Sequence, residues 1–150
     1  MERKDIMEAL NMHFTVNGND FTLAGECSSK VKKMLSQLGF EPTMKRKTAI
    51  AMYEGEINMV IHASGGEIDV SIEPDKVVAV LKDTGPGIPD IEKAMQEGYS
   101  TATNKVRELG FGAGMGLPNM KKYSDEMKID TVIGVGTTVT LSFYTNPQQD

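Results

Sequence analysis

Cysteine occurs once in the 150-residue chain, at Cys27. No internal disulfide can form, and a single thiol fits a reducing, cytoplasmic location. Long apolar runs are missing as well. No stretch approaches the roughly 20 residues needed to span a bilayer. The charged start Met1-Glu2-Arg3-Lys4-Asp5 has no apolar signal core behind it, so neither a membrane span nor a leader is expected. Basic charge is in deficit: 16 Lys and Arg against 21 Asp and Glu leave a net charge of −5. That balance argues against a direct nucleic-acid partner, because nucleic-acid binders are usually basic. Cys/His clusters are absent, which leaves no transition-metal site. Two familiar glycine loops are absent too. No Gly-x-x-x-x-Gly-Lys-Ser/Thr occurs, and no Gly-x-Gly-x-x-Gly follows a strand in a βαβ unit.

What remains is the composition of an ordinary globule, 25% charged and 39% hydrophobic,. The length suits one domain over residues 1–150 with a single core. The 11 methionines fit either adaptable core filling or a partner surface.

Periodicity predicts a strand over Met12 to Val16, then turn residues Asn17-Gly18-Asn19-Asp20. Leu23, Val31, Met34, Leu35 and Leu38 recur at helical spacing within Phe21 to Leu38, and Gly39 follows as a C-terminal stop. A second helix is expected from Met44 to Ala63, opened by Pro42-Thr43 and closed by Gly65-Gly66. Strands Glu67 to Ile72 and Val77 to Lys82 form a hairpin around Glu73-Pro74-Asp75. A short helix is expected from Asp90 to Glu97. Gly98 to Leu109, polar and without period, reads as a mobile loop. A helix from Met115 to Tyr123 precedes strands Met127 to Ile133 and Thr137 to Phe143. Strands thus arrive mainly as adjacent pairs. The fold class expected is a two-layer α/β (α+β) sandwich: a mixed, mostly antiparallel sheet with helices on one face.

Three groups of residues carry chemistry. Glu54, Asn58 and His62 stand at successive four-residue steps, so one helix face presents them all. A carboxylate there can orient or deprotonate an attacking hydroxyl, and an amide oxygen one turn on can be a ligand of Mg²⁺. The same residues also fit a solvated helix face. Glu56, about 200° around from Glu54, is expected to face solvent. Asp83 stops an apolar strand, and its carboxylate can accept from the exocyclic amine of adenine; Gly85 and Gly87 allow a tight turn and close approach of a base. An ordinary Asp-x-Gly turn would read alike. Gly110, Gly112, Gly114 and Gly116 alternate up to a helix start, where backbone N–H groups can cradle phosphates. Lys105 and Arg107 can reach a phosphate from the preceding loop or remain solvated. His13 reads as a surface or strand-edge residue.

Glu54-x-x-x-Asn58-x-x-x-His62, Asp83-x-Gly85-x-Gly87-Ile88, Gly112-x-Gly114-x-Gly116-Leu117 and Gly134-x-Gly136-Thr137 resemble, in order and spacing, the four boxes of the GHKL ATPase superfamily. The resemblance spans roughly Arg46 to Phe143. Within that superfamily the chain looks like the stand-alone branch, the anti-sigma factors and serine-protein kinases of bacterial partner-switching systems. Gly87-Ile88-Pro89-Asp90-Ile91-Glu92-Lys93-Ala94-Met95 is similar to that branch. So is Gly98-Tyr99-Ser100-Thr101 running on to Leu117.

The resemblance implies the Bergerat ATP-binding fold and ATP with Mg²⁺ as cofactors. It makes Glu54 the general base for a protein serine hydroxyl and Asn58 the holder of Mg²⁺. Asp83 would read adenine, with Gly87 behind the base and Thr137 in support. Gly112, Gly114 and Gly116 would bind phosphates. Gly85, Ile88, Lys105, Met115 and Leu117 would complete the cofactor site. Implied partners are a STAS-type anti-anti-sigma protein and a sigma factor, and a homodimer follows by analogy. The glycine loop is richer than in plain anti-sigma factors and closer to switch kinases that act on scaffold proteins and then activate a phosphatase. Gly55 inside the box helix costs about 1 kcal/mol against Ala and points to a less rigid helix.

Two functions compete. One is an ATP- and Mg²⁺-dependent protein-serine kinase that also sequesters a regulatory partner. The other is a non-enzymatic module in which ATP or ADP orders Gly98 to Leu109 and so selects the protein partner.

Overall fold

The computed structural model describes residues 9–18, 24–63, 65–96 and 116–145. Among the described residues, five strands, β1 (Leu10–Asn17), β2 (Gly65–Ile72), β3 (Lys76–Asp83), β4 (Glu126–Val132) and β5 (Gly136–Tyr144), combine with four helices, α1 (Glu26–Gln37), α2 (Pro42–His62), α3 (Ile91–Ala94) and α4 (Gly116–Tyr123). The sheet order is β1-β2-β3-β5-β4. The mostly antiparallel sheet expected from the strand pairs is antiparallel at each of these neighbours. No described helix is long and apolar enough to cross a membrane.

Side chains on a strand alternate between faces, and here the alternation separates core from surface. Ile68, Val70 and Ile72 of β2, Val77, Ala79 and Leu81 of β3, and Val139, Leu141 and Phe143 of β5 are buried against Val31, Leu35, Met52, Met59, Val60 and Met120 of the helices. Glu67, Asp69 and Lys82 point the other way and are exposed. The helices therefore cover one face of the sheet, the two-layer arrangement expected.

Helix boundaries follow local chemistry. α1 begins at Glu26, later than its apolar period suggests; Phe21 and Leu23 lie outside the described residues. Its end matches the glycine signal. Gly39 is left-handed at φ +81°, the Phe40 N–H reaches Leu35 C=O at 3.0 Å and the Gly39 N–H reaches Ser36 C=O at 3.2 Å. This is a Schellman closure. α2 starts two residues earlier than expected because Pro42 occupies its first turn, where a missing N–H leaves nothing unpaired.

α2 is the central helix, packed against α1 on one flank, α4 on the other and the sheet beneath. That position corrects two expectations. Glu56 does not face solvent: it is 2% exposed, because the side turned away from Glu54 meets α1. Gly55 is no source of slack either. A Cβ there would collide with the Leu81 side chain and come within 3.0 Å of Met120 Cε, so glycine is what lets α2 lie directly on β3. Gly55→Ala should gain about 1 kcal/mol of helix propensity but cost about 1–3 kcal/mol in overpacking. The expected net result is a melting temperature lowered by roughly 2–4 °C. An unchanged or raised melting temperature would show that Leu81 repacks freely.

Candidate functional site

Asp83 closes β3 where Thr137 opens β5 on the neighbouring strand. One carboxylate oxygen, Oδ1, accepts the Gly85 N–H at 2.9 Å and the Thr137 N–H at 3.1 Å. Oδ2 carries no hydrogen bond among the described residues, so the side chain is fixed through one oxygen and leaves an acceptor on the other. The turn after it is stitched down on three sides. A Cβ on Gly85 would lie 2.7 Å from Ala63 Cβ, at the end of α2. Gly87 is left-handed at φ +84°, and a Cβ there would lie 2.8 Å from the Val132 carbonyl oxygen. The Ile88 N–H donates to Thr131 Oγ1 at 2.8 Å, and the Gly134 N–H to Pro86 C=O at 2.9 Å. Gly136 packs so closely that a Cβ would strike the Asp83 carbonyl. Expected site residues Asp83, Gly85, Gly87, Ile88 and Thr137 therefore meet at one corner, at the ends of β3 and β4 and the start of β5.

The second half of the site lies between α2 and α4. Glu54 is half-buried. Burial pushes its carboxyl above the usual range, and a hydrogen bond with Asn119 opposes that shift. One turn on, the Asn58 side chain touches the first residue of α4: a Cβ on Gly116 would lie 2.7 Å from both Asn58 Oδ1 and Nδ2. Asn58 Nδ2 also faces Met120 Sδ at 3.9 Å. Leu117 packs against the hydrophobic core and anchors the start of α4. Burial lowers the pKa of His62, the third member of the row, which favours neutral imidazole. Lys105, Arg107, Gly110, Gly112, Gly114 and Met115, with the loop from Gly98 to Leu109, lie outside the described residues.

Chemically, this face offers a carboxylate held as a proton acceptor and a nearby amide oxygen. Among the described residues no three His, Cys, Asp or Glu converge to hold a metal. A metal here would take the amide oxygen with phosphate oxygens and waters, the sparse protein ligation that suits Mg²⁺. Gly116 without a side chain is what leaves room beside Asn58.

Three residues escape the sequence reading. Asn119 meets Glu54 because α4 crosses α2, a tertiary fact. Thr131 reaches both Ile88 and Thr137 only once the β4–β5 register, which pairs Thr131 with Thr137, is known. Glu56 stands two residues from Glu54, and its burial follows from the position of α1.

Comparison with known proteins agrees with this geometry. The family of histidine kinase-, DNA gyrase B-, and HSP90-like ATPases matches residues 51–147, a span that contains both halves of the site. The serine/threonine-protein kinase RsbT of Bacillus subtilis (strain 168) is 31% identical over 112 residues, covering 72% of this chain and 78% of that protein. An anti-sigma F factor of Bacillus licheniformis is 30% identical over 141 residues, covering 89% of this chain and 90% of that one. Among solved structures, the RsbU and RsbW domains of Rv1364c from Mycobacterium tuberculosis share the fold, with a TM-score of 0.58 at 19% identity over 90% of this chain. This chain spans 32% of that larger one. The chain belongs to the histidine kinase-, DNA gyrase B-, and HSP90-like ATPase family.

Proposed function

We propose that residues 1–150 form one ATP- and Mg²⁺-dependent protein-serine kinase domain that acts in the cytoplasm. In this reading it is an anti-sigma regulatory factor of a bacterial partner-switching system, and it phosphorylates a STAS-type antagonist. The observation that carries this reading is the pairing of Glu54 and Asn58 against the first turn of α4, with the Asp83–Thr137 corner beyond the end of the same helix. Relatives named as a serine/threonine-protein kinase and an anti-sigma F factor, each at least 30% identical, support it.

Asp83 Oδ2 accepts from the adenine amine, and the Gly85–Gly87 turn lies along the base. The N-terminus of α4 and the glycine run before it bind phosphates through backbone N–H groups. Asn58 holds Mg²⁺, which supplies charge to offset that of the phosphates during transfer. Glu54 accepts the proton of the incoming serine hydroxyl. The serine oxygen bonds to the γ-phosphorus as the bond to the bridging oxygen breaks, and ADP leaves. Transfer of this kind asks for positioning and electrostatics more than covalent help.

The test is incubation with Mg²⁺, γ-labelled ATP and STAS-type proteins of the same cell. Label on a partner serine is expected. Tight ATP binding with no label transferred to any partner would refute the kinase and favour the nucleotide-gated binding module.

A further inference from the structure

Thr131 occupies a junction that the proposed chemistry does not use. It lies on the inner face of β4, following Met127 and Ile129, at the end of the sheet where Asp83 and Thr137 meet. Its hydroxyl has three neighbours: the Ile88 N–H at 2.8 Å, Thr137 Oγ1 at 2.9 Å and the Gly136 carbonyl oxygen at 3.4 Å. A hydroxyl has one proton and two lone pairs. The Ile88 N–H takes a lone pair. The proton can go to Thr137 or to Gly136, and good O–H···O bonds run from about 2.5 to 3.0 Å. Across the 2.9 Å contact either threonine can donate; where Thr131 donates to Thr137 Oγ1, the proton of Thr137 is left free for another acceptor.

The consequence lies next door. The Thr137 N–H is bonded to Asp83 Oδ1, so the two side chains are neighbours. Asp83 Oδ2 offers an acceptor and Thr137 offers a donor. A 6-aminopurine presents the matching edge, an amine donor beside the unprotonated ring nitrogen N1. A 6-oxopurine presents the reverse, a carbonyl acceptor beside N1–H. We propose that Thr131 is a specificity-determining positioning residue: by donating to Thr137 it turns the Thr137 proton toward N1 of the base and makes the corner selective for a 6-aminopurine. The inference rests on reading Asp83 as the base-binding residue. It adds a residue that does not touch the nucleotide.

The test compares binding of ATP with that of 1-deaza-ATP, in which N1 is replaced by C–H. The wild-type protein should prefer ATP by about tenfold, the worth of roughly one hydrogen bond. Thr131→Val keeps the shape and removes the hydroxyl. Because the Ile88 N–H also loses its acceptor, the readout is the ratio of the two affinities: it should fall to about one in Thr131→Val, and Thr131→Ser should restore the preference. A Thr131→Val protein that loses affinity for both nucleotides equally would show a structural role and overturn the proposal. So would a wild-type protein that binds the two alike, a result that needs no variant to fold. Asp83→Asn separates the levels. If it leaves ATP binding intact, the reading of the corner as a base site fails. If it weakens both nucleotides while Thr131→Val changes neither, the corner stands and the role of Thr131 falls.

Discussion

Glu54→Gln is expected to slow phosphate transfer to the partner serine by about 10²–10⁴-fold, the usual contribution of a positioned general base, with ATP binding preserved. Glutamine keeps the size of the side chain and its contact with Asn119 but cannot take the serine proton. Loss should therefore fall on the chemical step and not on nucleotide affinity. The environment of Glu54 adds a pH signature. Burial raises its pKa above the ordinary carboxylate value, with Asn119 opposing. The acid limb of the wild-type rate profile should accordingly lie above the usual range for a glutamate, and it should disappear from the residual rate of the variant.

The stability sign runs opposite to the activity. A carboxyl whose folded pKa is raised favours folding where it is protonated, and that contribution is lost as pH rises through the folded pKa. Glu54→Gln should thus melt higher than wild type at neutral pH, and the gain should fade in acid below the ordinary glutamate pKa. Such an exchange of stability for activity is common at functional sites. Full transfer by Glu54→Gln, measured with label on the partner serine, would remove Glu54 as the base.

The legible part of this protein was its punctuation and its periods. Pro42, Gly39 and the Glu73-Pro74-Asp75 turn between β2 and β3 are local signals, and each produced the helix start, helix end or hairpin it announced. Gly85 and Gly87 were legible as tight places, and the structure supplies the neighbours that make them so, Ala63 and the Val132 carbonyl; Gly136 was legible only as part of a motif, and its close approach to the Asp83 carbonyl is a tertiary fact. What could not be read was which faces of α2 are covered. Helical spacing gives angles around an axis, and nothing in the run from Pro42 to His62 says that α1 and α4 flank it on both sides. That missing fact hid the burial of Glu56, the reason for Gly55 and the meeting of Asn119 with Glu54. Thr131 was hidden by register instead, since a cross-strand pair exists only once the Ile133–Val135 turn is placed.

Glu56→Ala should be the most destabilising single change among these residues, and for a reason that separates it from Glu54. An α-helix begins with N–H groups that have no partner inside the helix, and the first residues of α1 have no side-chain cap of their own. Glu56 supplies it from α2. Its Oε2 accepts the Gly25 N–H at 3.0 Å and the Cys27 N–H at 3.3 Å, and its Oε1 the Ser28 N–H at 3.3 Å. The carboxylate also sits at the positive end of the α1 dipole. Alanine removes this acceptor and leaves three donors facing a void. The expected loss is about 3 kcal/mol, or roughly 6–12 °C in melting temperature for a chain of this size.

Cys27 gives a local readout. Burial first, and the Glu56 charge second, push its thiol up to about 12, so it should resist thiol reagents in the wild type and react faster in Glu56→Ala. Two carboxylates two positions apart on α2 thus face opposite neighbours. The Glu54 variant should lose transfer and gain stability. The Glu56 variant should lose stability and free the thiol, and where it remains folded it should keep transfer. A Glu56→Ala protein with wild-type melting and an unreactive Cys27 would show that α1 is held by its apolar contacts alone.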